Sequence, residues 1–532
     1  MKNNFIKQTT IYLSVLALCV GQVSCSKLDE QVFGSKSVVV ASAGGSSAAN
    51  LAAVYEATNG LIGQGNFFAF QEHSTDELLG PTRGTDWDDF GTWRKIHLHA
   101  WDGAHNQLYD TWNGINSGLY KATSLVEQGA AADKPAAQFL RAFMATQVMD
   151  LFGQVPYRAA ADGPDVIPAV KKRADAFDWI MTDVDAAIAG LPSNAGTVGA
   201  SRYATKEAAQ FLKARLLLNK AVYKQDPANP AGFTAASFAA ADMNTIITLV
   251  DAISANANFK IGATPATYWD NFKWDNYAKS TELIYTRGGD NAKQLGGTAG
   301  TNWATGMGTH YNQTFSGWNG FTTTSDFYNS FDAVDGRRQS DLTDFTEVTG
   351  FNAGFLAGQQ YKYDSKGVKI KVNDRSGSPL IFTPDVSLFF STEAKGIRTM
   401  KYPLLYDKKD LNNTQPNDFV FFRYADALLM KAEAILRGGT ATKGETALSI
   451  VNKLRARAGV TAATSVALSD MLAERGRELY LEAVRRDDMI RFGVFNNPVV
   501  ERSAKSDGSR VVLPIPNQAV SSNPNLKQNF GY

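Results

Sequence analysis

Residues 205–223 read TKEAAQFLKARLLLNKAVY, and this stretch decides the fold class. Ala208, Ala209, Ala214 and Ala221 interleave with Phe211, Leu212, Leu217 and Leu218 at three- and four-residue spacings, the period of a helix with one apolar face. Small residues beside large ones let a second helix approach closely. Thr205 stands where an N-cap belongs, with Glu207 in the first turn behind it. Two further stretches upstream share the pattern, at residues 137–152 and 173–189. Gly153 and Pro156 close the first, and Leu191-Pro192 follows the second. The three starts lie roughly 34 residues apart, the period of a tetratricopeptide-like helix pair, so the expected fold is mainly α with a helical-repeat scaffold.

The texture then changes. Residues 225–417 are rich in Gly, Asn, Thr, Asp and aromatics, with short alternating runs such as 361–372, and they read as loops, short helices and hairpins. Helical texture returns at 419–436, 445–457 and 468–492. A scaffold split around so long an irregular insertion points to function in the insertion.

The chain has 532 residues, with 44% hydrophobic and 20% charged, the mix of a globular protein with a sizeable core. Lys plus Arg number 53 against 52 Asp plus Glu, so no basic field exists to hold nucleic acid. At the N-terminus Lys2 and Lys7 precede an apolar run from Ile11 to Val20, half the length of a membrane-spanning helix, and then Ser24-Cys25. This reads as a secretion signal. The only other cysteine, Cys19, lies inside the run, so a mature chain beginning at Cys25 forms no internal disulfide. A lone cysteine there is the position acylated in a bacterial lipoprotein, although Gln22 stands where leucine is usual.

Several segments resemble the SusD/RagB family. In order they are Ser24-Cys25-Ser26-Lys27-Leu28-Asp29; Phe139-Leu140-Arg141-Ala142 with Phe152-Gly153-Gln154-Val155-Pro156; and Tyr203-Ala204-Thr205-Lys206. Arg423-Tyr424-Ala425-Asp426 with Leu428 to Ala434 follows, then Val451-Asn452-Lys453-Leu454-Arg455-Ala456-Arg457, Glu474-Arg475-Gly476-Arg477-Glu478-Leu479 and Arg485-Arg486-Asp487-Asp488. The ending carries Leu513-Pro514-Ile515-Pro516 and Gly531-Tyr532. The resemblance implies a division into a signal peptide (1–24), an acylated Cys25 with a flexible tether (25–48), an N-terminal helical part (49–224), a ligand-facing insertion (225–417) and a C-terminal helical part with a tail (418–532). It also implies a non-enzymatic glycan-binding lipoprotein, surface-exposed on the outer membrane, with a SusC-like TonB-dependent transporter as partner.

Sugars need aromatic rings for their apolar C–H faces and Asp, Asn or Arg for their hydroxyls. Loop segments supply that combination at Asp76, Arg83, Asp86 and Trp87, and again at Trp303, Tyr311, Trp318 and Asn319 with His310 among them. Rings in loops also plug small local cores, which is the competing reading for each of these residues. Trp112, Trp179, Phe139, Phe143 and Phe211 lie in helical patterns and read as core. The charges at Arg423, Glu433, Arg455, Arg457, Glu478 and Arg485 sit on scaffold motifs and read as ion pairs and carbonyl caps. His97, His99 and His105 lack a fourth ligand at fixed spacing, and Asp86-Trp87-Asp88-Asp89 lacks a calcium loop's glycine turn, so neither metal nor cofactor is called for. A secreted glycoside hydrolase and a purely structural surface lipoprotein remain the alternatives, since acids are abundant but no motif singles out a catalytic pair.

Overall fold

The computed structural model describes residues 47–230, 232–288, 302–406 and 415–532, and residues 46–532 form one compact unit. Cys25, the signal segment and the tether as far as residue 46 lie outside the described residues.

The three expected N-terminal helices are present, with a fourth before them. They are α1 (Asn106–Gln128), α2 (Lys134–Phe152), α3 (Arg173–Gly190) and α4 (Lys206–Leu218), each packed on the next. Thr205 Oγ1 accepts the Ala208 N–H and caps α4, and Gly153 at φ +69° ends α2. Close approach is built in at Gly118, where a Cβ would fall 2.7 Å from Met144 Cε.

The insertion contains a scaffold helix that its loop-like texture hides. α5 (Ala240–Ala255) packs on α4 and on α6 (Tyr424–Leu436), joining the two helical parts; α7 (Ala447–Arg457) and α8 (Leu468–Leu479) then pack on α6. The rest of the insertion is short helices and two- or three-stranded sheets, including the hairpin Tyr361–Tyr363 with Lys369–Lys371. Among the described residues no helix is long and apolar enough to cross a membrane.

Two expected helices begin or end differently. Phe419–Arg423 is a strand, paired antiparallel with Leu283–Arg287 and buried along its length. A strand covered on both faces shows no alternation and mimics a buried helix in sequence. Phe422 stacks on Phe211 of α4 with ring centroids 4.4 Å apart. The 468–492 segment breaks after α8 and resumes as α9 (Arg485–Arg491), because Leu481 and Ala483 take positive φ. Their N–H groups donate to buried carboxylates, Leu481 to Glu77 (3.3 Å) and Ala483 to Glu72 (2.7 Å), so the break is held by residues far away in sequence.

The scaffold charges form buried networks. Arg423 donates to Glu478 and Glu482 (both 2.7 Å), Arg337 to Asp335, Glu474 and Glu478, and Arg491 to both Glu433 oxygens; Arg455 caps the Thr461 carbonyl. His97 and His99 hydrogen-bond the backbone oxygens of His73, Val500 and Ser74. Trp112, Phe139, Phe143 and Phe211 are core, whereas Trp179 lies half-buried at the edge with Arg141 and Lys171 over its ring.

Candidate functional site: an aromatic face built from three loops

Loop positions far apart in sequence converge on one face, and buried arginines hold them there. Arg83 and Asp86 exchange backbone hydrogen bonds (2.9 and 3.0 Å) around Gly84, whose φ of +63° closes the turn. The Arg83 guanidinium is buried and donates to the backbone oxygens of Thr392 (2.6 Å), Lys395 (2.7 Å) and Gly320 (3.3 Å). Burial lowers its pKa to about 9, and it remains charged at neutral pH. Asn319, fully buried at φ +50°, accepts from Arg398 Nη2 (2.8 Å) and donates to the Glu393 backbone carbonyl (3.2 Å). Arg83 and Asn319 therefore brace the face from beneath.

The rings lie above that brace. Trp87 is half-buried at φ +64°, and its Nε1–H donates to the Trp318 carbonyl (2.9 Å). Its ring packs 5.4 Å from Phe321. Gly320 must be glycine here, since a Cβ would fall 2.8 Å from the Trp87 ring. Trp318 is 40% exposed and lies against Gly306. Tyr311 is half-buried and donates its hydroxyl to Asp86 Oδ2 (3.0 Å). Burial and the Asp86 carboxylate push the phenol up to about 12, which keeps it a donor.

Arg375, Glu393 and His310 complete the arrangement, and two of these three escape sequence reading. The Arg375 guanidinium lies 4.4 Å above the Tyr311 ring, with Nη2 on Asp86 Oδ2 (2.5 Å) and Nε on Glu393 Oε1. His310 Nδ1 accepts the Asn312 N–H (3.1 Å), so Nε2 carries the proton and donates to Glu393 (2.9 Å). Burial lowers the His310 pKa and keeps the ring neutral. Burial alone would raise Glu393, but the hydrogen bonds from Arg375 and His310 outweigh it and hold the carboxyl below its usual range. Phe389 and Phe390 are 45% and 85% exposed on the adjoining segment, which pairs with Thr82 through Leu388 and Ser391.

Asp86, Trp87, Tyr311 and Trp318 thus share the exposed face, while Arg83 and Asn319 support it. Asp76 and Trp303 stand apart. Asp76 makes a bidentate ion pair with Arg485 (2.7 Å to each oxygen), and Trp303 packs edge-on against Phe68 at 4.7 Å. No group of three or more His, Cys, Asp or Glu side chains suited to a metal occurs among the described residues. What the face offers chemically is stacking plus hydroxyl-directed hydrogen bonding.

Residues 281–532 match the SusD family. The starch-binding protein SusD of Bacteroides thetaiotaomicron is 26% identical over 431 residues, 74% of this chain and 72% of that protein. Solved structures of similar shape include a SusD superfamily protein from Parabacteroides distasonis, with a TM-score of 0.68 at 16% identity, covering 91% of this chain and 98% of that one. Another is the surface glycan-binding protein A from Bacteroides thetaiotaomicron in complex with laminarihexaose, with a TM-score of 0.63 at 17% identity, covering 90% and 98%. The motifs from Arg423 to Tyr532 fall within residues 281–532. Together with the motifs that run along the sequence, these matches support the SusD/RagB family for this chain.

Proposed function

We propose that this protein is a cell-surface lipoprotein that binds oligo- or polysaccharide and delivers it to a SusC-like TonB-dependent outer-membrane transporter, anchored through acylated Cys25. The observation that carries the reading is the exposed face of Trp87, Tyr311 and Trp318 rimmed by Asp86, Arg375 and Glu393. Relatives named for starch and laminarihexaose binding support it. A hydrolase needs a carboxyl that bears a proton near neutral pH, and Glu393 is held in the opposite direction. The family resemblance and the Ser24-Cys25 signal support anchoring and partnership, and affinity purification from gently solubilised membranes is expected to recover a barrel partner.

Isothermal titration against a polysaccharide panel tests the binding. Trp318→Ala removes a ring that stacks but supports little of the core, so it is expected to weaken a glycan by about 1 to 3 kcal/mol, ten- to a hundredfold. The melting temperature is expected to stay nearly unchanged. Normal glycan binding in a Trp318→Ala protein that melts early would assign the ring to a local core instead.

A further inference from the structure

Arg375 is fixed from two sides before any ligand arrives. It stands in a tight turn where Asp374 Oδ1 accepts the N–H groups of Ser376 and Ser378 (2.9 Å each) and Gly377 takes φ +88°. Its own backbone N–H donates to Glu393 Oε2 (2.9 Å). The side chain is 51% exposed, yet both Nε and Nη2 are bound to carboxylates, and only Nη1 makes no hydrogen bond among the described residues.

Three further cations of these loops are similarly engaged. Arg94 pairs with Asp88 (2.6 Å), Lys395 with Asp385 (2.7 Å), and Lys362 donates to the Asn312 carbonyl (3.0 Å). Arg83 and Arg398 lie beneath the face, bound to backbone oxygens. An uncharged sugar suits this arrangement, because a single hydroxyl can accept from Nη1 and donate to a carboxylate lone pair. A uronate or sulfate does not. It would bring a third anion to a guanidinium already shared by two, and at Nη1, the one open donor, it would meet the repulsion of the Asp86 and Glu393 carboxylates held on the same group.

We propose that Arg375, clasped by Asp86 and Glu393 over Tyr311, makes this face selective for uncharged glycans and excludes uronate- or sulfate-bearing chains. The proposal rests on the carbohydrate-binding reading above and names its ligand class.

The test compares neutral polymers (amylopectin, laminarin, galactomannan) with acidic ones (alginate, polygalacturonate, carrageenan), by affinity electrophoresis and titration at low and high salt. The wild-type protein is expected to bind within the neutral set only. Asp86→Asn combined with Glu393→Gln releases the Arg375 charge without removing hydrogen-bonding atoms. It is expected to raise the ratio of acidic to neutral binding about tenfold or more, in a salt-sensitive way. Adding Arg375→Ala is expected to cancel that gain. Asp86→Asn alone, at a residue 30% exposed, gives the same direction of change should the double variant fold poorly. Wild-type binding of an acidic polymer through Trp318 overturns the proposal, as does a folded variant with no gain. Absence of binding to either set overturns the carbohydrate reading and this inference with it.

Discussion

Arg423 and Arg375 are each held by carboxylates, but in opposite surroundings. Arg423 is 1% exposed and spends its guanidinium on Glu478, Glu482 and the Glu478 carbonyl, joining the start of α6 to the end of α8. Arg375 is half exposed and joins two loops of the aromatic face. Water decides the difference between them. Inside, removing one partner leaves a charge with nothing to solvate it; outside, solvent takes the vacated place. The scaffold is thus specified by pairs it cannot lose, and the face is shaped by pairs it can exchange for ligand.

The largest expected effect breaks the inner pair. Arg423→Ala leaves Glu482 with Lys401 alone and takes one of three arginines from Glu478, and is expected to cost about 3 to 5 kcal/mol of folding stability, read by urea or thermal unfolding. Arg375→Ala is expected to cost no more than about 1 kcal/mol. Similar losses at both sites would mean that the face belongs to the folding core.

A second test uses pH. Glu72 lies fully buried beside Glu77, and burial raises both carboxyls, Glu72 from 4.5 to about 7. Its contribution to stability is fully present below about 4.5 and is lost as pH rises through about 7. Asp488 behaves oppositely. Burial opposes its ionisation, but Arg475 and Arg491 outweigh this and draw it from 3.8 to about 2, so its contribution holds above 3.8 and is lost as pH falls through about 2. The buried histidines, lowered by burial (His73 to about 3, His97 to about 4), are neutral in both states above pH 6.5, so between pH 6.5 and 8 stability is expected to decline by on the order of 1 kcal/mol, measured by chemical unfolding across that range. Glu72→Gln, which keeps an acceptor for the Ala483 N–H, is expected to flatten the slope. An unchanged slope in that variant would place the titration elsewhere.

The same contrast explains what was legible in sequence. The helices α2, α3 and α4 are readable because period, cap and stop signals agree within each segment, and Trp87 and Trp318 stand out because large rings in Gly-rich loops lack a helical role. Phe419–Arg423 is not readable as a strand, since its partner Leu283–Arg287 lies over a hundred residues upstream and covers the face that would have shown alternation. The break between α8 and α9 depends on Glu72 and Glu77, and the Arg375 clasp spans 289 residues to Asp86. Contacts of that kind leave no local trace. Asp76 shows the converse: its loop composition suggests a sugar contact, while its carboxylate is taken by Arg485 of α9.

The smallest expected effect asks whether scaffold and face are independent. Thr205→Ala removes the side-chain acceptor for the Ala208 N–H at the start of α4 and leaves the helix otherwise unchanged. It is expected to cost about 1 kcal/mol, a melting shift of about 1 °C in a unit of this size, and Thr205→Ser is expected to restore most of it. Through Phe211 and Phe422, α4 reaches the buried strand that precedes α6, so weakening its first turn loosens the joint between the two helical parts. The aromatic face is tied instead by Arg83, Asn319 and Arg398 to the backbones of its own loops. Glycan affinity is therefore expected to remain at its wild-type value in Thr205→Ala. A matching loss of affinity would show that the face depends on the scaffold's stability, and the division drawn between Arg423 and Arg375 would then not hold.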